Sequence, residues 1–452
     1  MTSPRYLEGC ADGSQVRGDA APLNPAARVV VWFDDGNVNN NNDNNRARAR
    51  AVRVVGEFQG ATLFQQLHAA YRRARRGKKP SANQLDFETN WADRLLDLER
   101  SLAAGTWEPK PYTCFVATRP KAREIHAPDF GDRVVHHWLV AQLEPPFERR
   151  FADCSFANRS GRGTHAAVQR AQRYMREVQS GQGGGWYLQL DIANFFYSIR
   201  RDVLWDMLKR AMVRFDLPAQ TQRVAHALLR RPADAHGVTY RSTAAQRALV
   251  PRHKQLANAA PGRGLPIGNL PSQFLANVYL DRLDQFVKHH LRAKRYLRYV
   301  DDFVLFHHDC DQLARWKDEI EAFLQRELGL ALKDDVRLRR LTDGLDFLGY
   351  VIHPTHTRVR RRVVAHANAA LAAWERAHVR RRHLEATPEQ LRAIRCTMAS
   401  YEGHFRHADS FRLRRAIHRR YPWLHAATVD RRFHHSMENR TLRIRRNGNV
   451  HP

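Results

Sequence analysis

The sequence predicts an α+β chain built from more than one lobe, and three observations predict it. Apolar residues recur at helical spacing through residues 58–104, whereas much of 105–350 holds alternating or β-rich runs. Within that middle region, Trp186-Tyr-Leu-Gln-Leu-Asp191 is apolar enough for a buried central strand, and two β-rich runs flank Asp301-Asp302 as the arms of a tight hairpin would. From 351 to 452 the chain is rich in arginine and helical in period, which marks a separate basic helical lobe. At 452 residues and 43% hydrophobic content, there is enough apolar material for two or three cores.

Residues 1–57 differ from the rest. Seven of the nine residues from Asn37 to Asn45 are Asn, which has no apolar face and competes with its own backbone for hydrogen bonds, so this stretch is expected to be a disordered extension. In 58–104 the spacing Phe87, Trp91, Leu95, Leu98, Leu102 predicts a helix that Gly105 caps. Residues 107–126 alternate and carry Pro109, Pro111 and Pro120, which suits strands at a sheet edge. A helix through Val135, Leu139 and Leu143 is expected to stop at Pro145-Pro146. Gly183-Gly184-Gly185 then breaks the chain before the strand that ends in Asp191.

The 75 Lys and Arg against 46 Asp and Glu leave a net charge of +29, whose self-repulsion a polyanion would relieve, so nucleic acid is the expected partner over a merely solvated basic surface. The five cysteines form no CxxC pair, which argues against a zinc knuckle or a disulfide framework and for a reducing setting. Adjacent histidines at 136, 289, 307 and 434 point different ways and make poor joint ligands, so they read as surface or RNA-facing groups. No apolar run is long enough to span a bilayer, and the expectation is a cytoplasmic protein with no membrane partner.

An isolated Asp-Asp is most often a polar turn. If the strand that ends at Asp191 lies beside the hairpin, three carboxylates converge, and Asp191, Asp301 and Asp302 would repel one another unless cations neutralised them. Oxygen-only ligands suit Mg²⁺, and a pair of ions on such a set serves in-line phosphoryl transfer.

Tyr299-Val300-Asp301-Asp302 resembles the YxDD signature of reverse transcriptases, and blocks similar to the family's motifs follow in the family's order from Trp107 to Tyr350. The resemblance implies a right-hand polymerase, with fingers and palm over 105–350 and a basic helical thumb over 351–452. It implies RNA-directed DNA polymerase activity using two Mg²⁺ ions, with Mn²⁺ as a substitute. Asp191, Asp301 and Asp302 would be catalytic, and Ile192 would add its carbonyl to the metal ligands. Lys121 and Arg123 match the segment that contacts the incoming triphosphate, although each could be a solvated strand cation. Arg159, in Asn158-Arg-Ser-Gly-Arg-Gly-Thr-His165, is the candidate for a base or triphosphate contact. Phe196 falls at the steric gate against a ribose 2′-hydroxyl, or else is an ordinary core phenylalanine. Gln273 is placed at the dNTP, and Phe347, Leu348, Gly349 and Tyr350 in the primer grip. Leu330-Ala-Leu-Lys-Asp-Asp335 departs from the family's His-Pro-Lys order, leaving Lys333 as the nearest substitute for a general-acid lysine.

Leu265-Pro-Ile-Gly-Asn-Leu-Pro-Ser-Gln273 narrows the likeness, since most of the family has glutamine where Ile267 stands. Ile267, before Gly268, resembles the reverse transcriptases of diversity-generating retroelements. An apolar side chain there cannot hydrogen-bond near the templating base, which motivates low fidelity. The asparagine tract resembles a translated template repeat of those systems, because both asparagine codons begin with two adenines and template adenines are their mutable positions. The resemblance therefore implies mutagenic retrohoming, with template RNA, a DNA or cDNA primer strand, dNTPs and a small basic accessory protein as partners. Alternatives are a group II intron-like, retron or phage-defence reverse transcriptase, or a catalytically inactive RNA-binding derivative.

Overall fold

The structure is a computed structural model that describes residues 60–77, 79–118, 121–180, 184–231, 238–380, 383–424, 442–444 and 450–451. The asparagine-rich extension at 1–57, Gly183 and His434 lie outside the described residues.

Three helices come first, α1 (Leu63–Arg75), α2 (Ala82–Thr89) and α3 (Trp91–Ala104). Thr62 opens α1 with a capping box closed by Gln65, and Gly105 ends α3 in the left-handed conformation at φ 71°, as its place in the sequence predicts. Strands β1 (Thr113–Ala117) and β2 (Arg123–Ala127) form an antiparallel hairpin, with β2 at the edge of a small sheet that β4 (Thr239–Tyr240) completes.

Helix α4 runs from Phe130 to Arg150, straight through Pro145-Pro146, against the expectation that the prolines end it. Two backbone donors are missing there. Burial offsets the loss, because Phe147 packs against Phe151, Phe215 and Phe274 with ring centroids 5.3–5.7 Å apart. His136 sits on this helix and is 1% exposed, which corrects its reading as a surface group; burial holds its pKa down at about 3.

Helix α5 (Thr164–Gln179) leads to β3 (Trp186–Asp191), which is followed by α6 (Phe195–Ser198), α7 (Arg201–Arg214), α8 (Ala219–Arg230), α9 (Ala244–Ala248) and α10 (Leu270–Gln285). The hairpin β5 (Tyr296–Tyr299) and β6 (Asp302–His307), helix α11 (Cys310–Phe323) and strand β7 (Arg337–Arg340) complete a four-stranded antiparallel sheet in the order β5-β6-β3-β7. Both faces of this sheet are covered, which explains the largely apolar runs of β3 and β6. Leu188, Leu190, Phe303 and Leu305 join a core with α4, α10 and α11, while Tyr187, Val304 and Phe306 join a second core with Ala171, Met175 and Val178 of α5.

A three-stranded sheet of β8 (Leu345–Phe347), β9 (Tyr350–Ile352) and β10 (Thr357–Val359) follows. All of this, up to Arg360 and with His407–Asp409, forms one compact unit. A second unit contains helices α12 (Arg361–His378), α13 (Pro388–Phe405) and α14 (Phe411–Arg420), with the short strands β11 (Val379–Arg380), β12 (His383–Leu384), β13 (Leu442–Ile444) and β14 (Val450–His451). Its core stacks Trp374 on Trp423 at 4.4 Å. Among the described residues no helix is long and apolar enough to cross a membrane.

Candidate active site

The register of the central sheet brings the three predicted carboxylates together. Asp191 ends β3 and lies directly opposite Asp302, the first residue of β6. Asp301 is the adjacent turn residue, and its carbonyl accepts from the Ile192 amide at 3.2 Å. Tyr299 and Asp302 close the turn, leaving Val300 and Asp301 at its tip. Val300 has φ 57°, a conformation that a β-branched residue adopts only where its surroundings impose it.

What imposes it is a buried network that sequence reasoning missed. Arg298, 1% exposed, donates to both oxygens of Asp284 at 2.8 and 2.6 Å and to the Val300 carbonyl at 2.9 Å. Asn277 and Ser155 accept further bonds from its guanidinium, and Tyr296 donates to Asp284 at 2.8 Å. With its fork geometry and permanent charge, arginine can tie three elements to one turn. The available signal was a charged residue at an inward position of a strand otherwise apolar, in Arg295-Tyr-Leu-Arg-Tyr.

Gln189 is a second missed residue. Two positions before Asp191, and so on the same face of β3, its Nε2 donates to both Asp302 oxygens at 3.2 and 3.4 Å and to the Asp346 carbonyl at 3.3 Å. It links the carboxylate to the β8–β9 hairpin.

Burial, then repulsion from Asp191, pushes Asp301 up to about 6. Burial likewise raises Asp302 to about 7, with the Gln189 bond opposing and the other two carboxylates adding to the rise. The set is short of positive charge, and two observations fit it to divalent cations. Asp191 Oδ1 is buried with no hydrogen-bond partner among the described residues, and the Lys333 ammonium lies 2.7 Å from Asp191 Oδ2 as a stand-in cation. Asp191 and Ala193 bond toward the segment around Leu332, so the Ile192 amide and carbonyl leave β3 on the Asp301 side, as a backbone ligand would.

A pH dependence follows from the raised pKa values. From about pH 4 to pH 7 the folded chain retains protons that the unfolded chain has released, so this contribution to stability is lost as pH rises through 6 to 7. A divalent cation held by the ionised folded form would reverse the loss. Thermal melts should show a larger upward shift with MgCl₂ at about pH 8 than at about pH 6; equal shifts would contradict this.

The other predicted residues divide. Arg123 opens β2 and lies near enough to lower the Asp301 pKa, and Lys121 is exposed at the preceding turn. Phe196 is half-buried on α6, five residues after Asp191, and its carbonyl accepts from Leu265 at 2.8 Å. The Ile267 carbonyl accepts from the His126 amide at 2.8 Å, and Gly268 has φ 111° with room only for hydrogen, since a Cβ there would meet Ile125 Cγ2 at 2.8 Å. Gln273 is half-buried on the first turn of α10.

Arg159 corrects the expectation of a base or triphosphate contact. It is 7% exposed, and its guanidinium donates to Glu148 and to the carbonyls of Ala152 and Ser155, so it supports the loop from within. Of the four residues expected in the primer grip, Phe347 and Tyr350 are buried in the second core, leaving Leu348 and Gly349 at the tip with φ 51° and 88°. Positive φ at both central residues is the pattern of a type I′ hairpin turn.

Residues 109–352, more than half of the chain, match the family model described as reverse transcriptase (RNA-dependent DNA polymerase). The chain is 22% identical over 305 residues to Protein YkfC of Escherichia coli (strain K12), covering 59% of this chain and 73% of that protein. It is 21% identical over 335 residues to the Group II intron-encoded protein LtrA of Lactococcus lactis subsp. cremoris, covering 60% of this chain and 50% of that one. Among solved structures, telomerase from Candida Tropicalis in complex with a fragment of telomeric RNA aligns with a TM-score of 0.41 at 10% identity, covering 74% of this chain and 59% of that chain.

Proposed function

The chain belongs to the reverse transcriptase (RNA-dependent DNA polymerase) family, with its α+β right-hand fold, and from that premise we propose that Asp191, Asp301 and Asp302 are its catalytic carboxylates and that it copies a template RNA into DNA. The observation that carries the assignment is the convergence of three carboxylates on one turn where burial and mutual repulsion leave them short of cations. Two bound Mg²⁺ ions would activate the primer 3′-hydroxyl and neutralise charge on the departing pyrophosphate.

The chain's own residues do the rest. Arg298 and Gln189 hold the carboxylates in register, and Arg123 faces Asp301 from the fingers hairpin, where a triphosphate would pass. Lys333, beside Asp191, is the group placed to protonate the leaving group. Phe196 is the steric gate below the sugar, and the Leu348-Gly349 tip holds the primer strand. On the basic unit, α14 presents Arg412, Arg415, Arg419 and Arg420 to phosphates.

Within the family we place this enzyme with the diversity-generating retroelements, in which error-rich cDNA made with a small basic accessory protein replaces part of a target gene. Ile267 and the asparagine tract, which lies outside the described residues, support that reading. A group II intron-like enzyme is the second reading, favoured by the likeness to LtrA. Sequencing cDNA made on a defined RNA template separates them. Errors concentrated opposite template adenines, reduced about tenfold in the Ile267→Gln enzyme, are expected for the first. Accurate copying by the parent would discard it in favour of the second.

A further inference from the structure

Away from the carboxylates, the register of β1 and β2 puts Cys114 directly opposite His126, with Glu124 two residues along β2 on the same face. All three are buried, at 1%, 3% and 5% exposure respectively. One ligand atom from each (the thiol sulfur, a ring nitrogen, a carboxylate oxygen) lies within 4.8 Å of the other two. We propose that this cluster is a binding site for a soft divalent cation, Zn²⁺ foremost, held by Cys114 Sγ, a His126 ring nitrogen and a Glu124 carboxylate oxygen.

The donor set makes the choice of ion. Sulfur, nitrogen and oxygen together suit zinc, whereas Mg²⁺ takes oxygen ligands and is served at the aspartates. Three protein ligands leave one tetrahedral position to water. Without a cation, burial, then the Glu124 charge, pushes the Cys114 thiol up to about 12, and burial raises Glu124 against the Leu256 bond and the Arg247 charge, so the thiol keeps its proton until a cation takes its place. On binding, the thiol proton passes to solvent as the sulfur–metal bond forms, with no change of oxidation state. A supporting contact is present, since the Leu256 amide donates to Glu124 Oε2 at 3.0 Å and orients the carboxylate.

The site has a structural consequence. His126 also donates its backbone amide to the Ile267 carbonyl at 2.8 Å. A metal on its ring would brace β1 against β2 at the residue whose backbone holds the segment before α10. The ligands are spaced Cys-x9-Glu-x-His, a pattern that no local motif reveals and that only the hairpin register brings together.

The test is metal content and cobalt spectroscopy on the full chain, after incubation with ZnCl₂ or CoCl₂ and extensive dialysis. The parent should retain about one zinc per chain, and its cobalt form should show a thiolate-to-metal charge-transfer band. Both should be lost in Cys114→Ser and strongly reduced in His126→Gln, with circular dichroism reporting the fold. If those variants do not fold, a Cys10→Ser/Cys154→Ala/Cys310→Ser/Cys396→Ser chain, which keeps Cys114 as its single thiol, must still give the band. A folded parent that retains no zinc, retention unchanged in Cys114→Ser, or loss of the band from the single-thiol chain would overturn the proposal.

Discussion

The Asp301→Asn/Asp302→Asn protein should lose DNA synthesis on a primed RNA template while becoming more stable above about pH 7. Cation ligation supplies several kcal/mol of transition-state stabilisation in phosphoryl transfer, and each 1.36 kcal/mol is tenfold, so the expected loss is at least about 10³-fold. The gain in stability comes from the same carboxylates. Their pKa values of about 6 and 7 mean that ionising them in the folded state opposes folding. Neutral amides of the same shape remove that opposition, and a gain on the order of 2 kcal/mol is expected without added metal. Chemical denaturation at about pH 8 beside single-turnover extension measures both. A variant that loses activity because it is unfolded, or one that keeps the parent rate, would contradict the account.

Arg298→Met should have the opposite effect on stability. Breaking a buried pair leaves Asp284 charged and uncompensated, and costs about 3–5 kcal/mol. Asp284 is as buried as Arg298, each side chain being 1% exposed, so water cannot compensate it. Removing both charges in Arg298→Met/Asp284→Asn should restore most of that stability, because the orphaned carboxylate is gone. It should not restore the rate. The Val300 carbonyl still lacks its donor, and a β-branched residue at φ 57° relaxes once nothing holds it, at a strain of about 1–3 kcal/mol. Urea unfolding gives the first quantity and steady-state extension the second. A double variant as active as the parent would show that Arg298 serves stability alone.

These two experiments also mark which parts of the site were legible in the sequence. The strand ending at Asp191 and the hairpin around Asp301-Asp302 were readable because a sheet buried on both faces needs near-continuous apolar runs, and polar tips then stand out against them. Gly105 was readable because a left-handed C-cap favours one residue type. The path of α4 through Pro145-Pro146 was not, since the aromatic packing that offsets two lost hydrogen bonds comes from residues far away in sequence, Phe215 and Phe274, which meet Phe147 only in the fold. Arg159 misled for a related reason. A basic residue in a phosphate-binding motif looks the same in sequence whether its guanidinium faces a ligand or, as here, Glu148. Gln189 and Arg298 lie on strands whose register decides what their side chains meet, and the Cys114 cluster exists only because two strands pair with that register.

The most direct test of the central claim is extension of a DNA primer on an RNA template, with Mg²⁺ and all four dNTPs, by the parent and the Asp301→Asn/Asp302→Asn protein side by side. The account predicts template-complementary DNA from the parent, none after chelation of the metal, and none from the variant. Synthesis that persists in the folded variant, or a parent that binds the primed template without ever extending it, even with accessory protein and native RNA supplied, would contradict it.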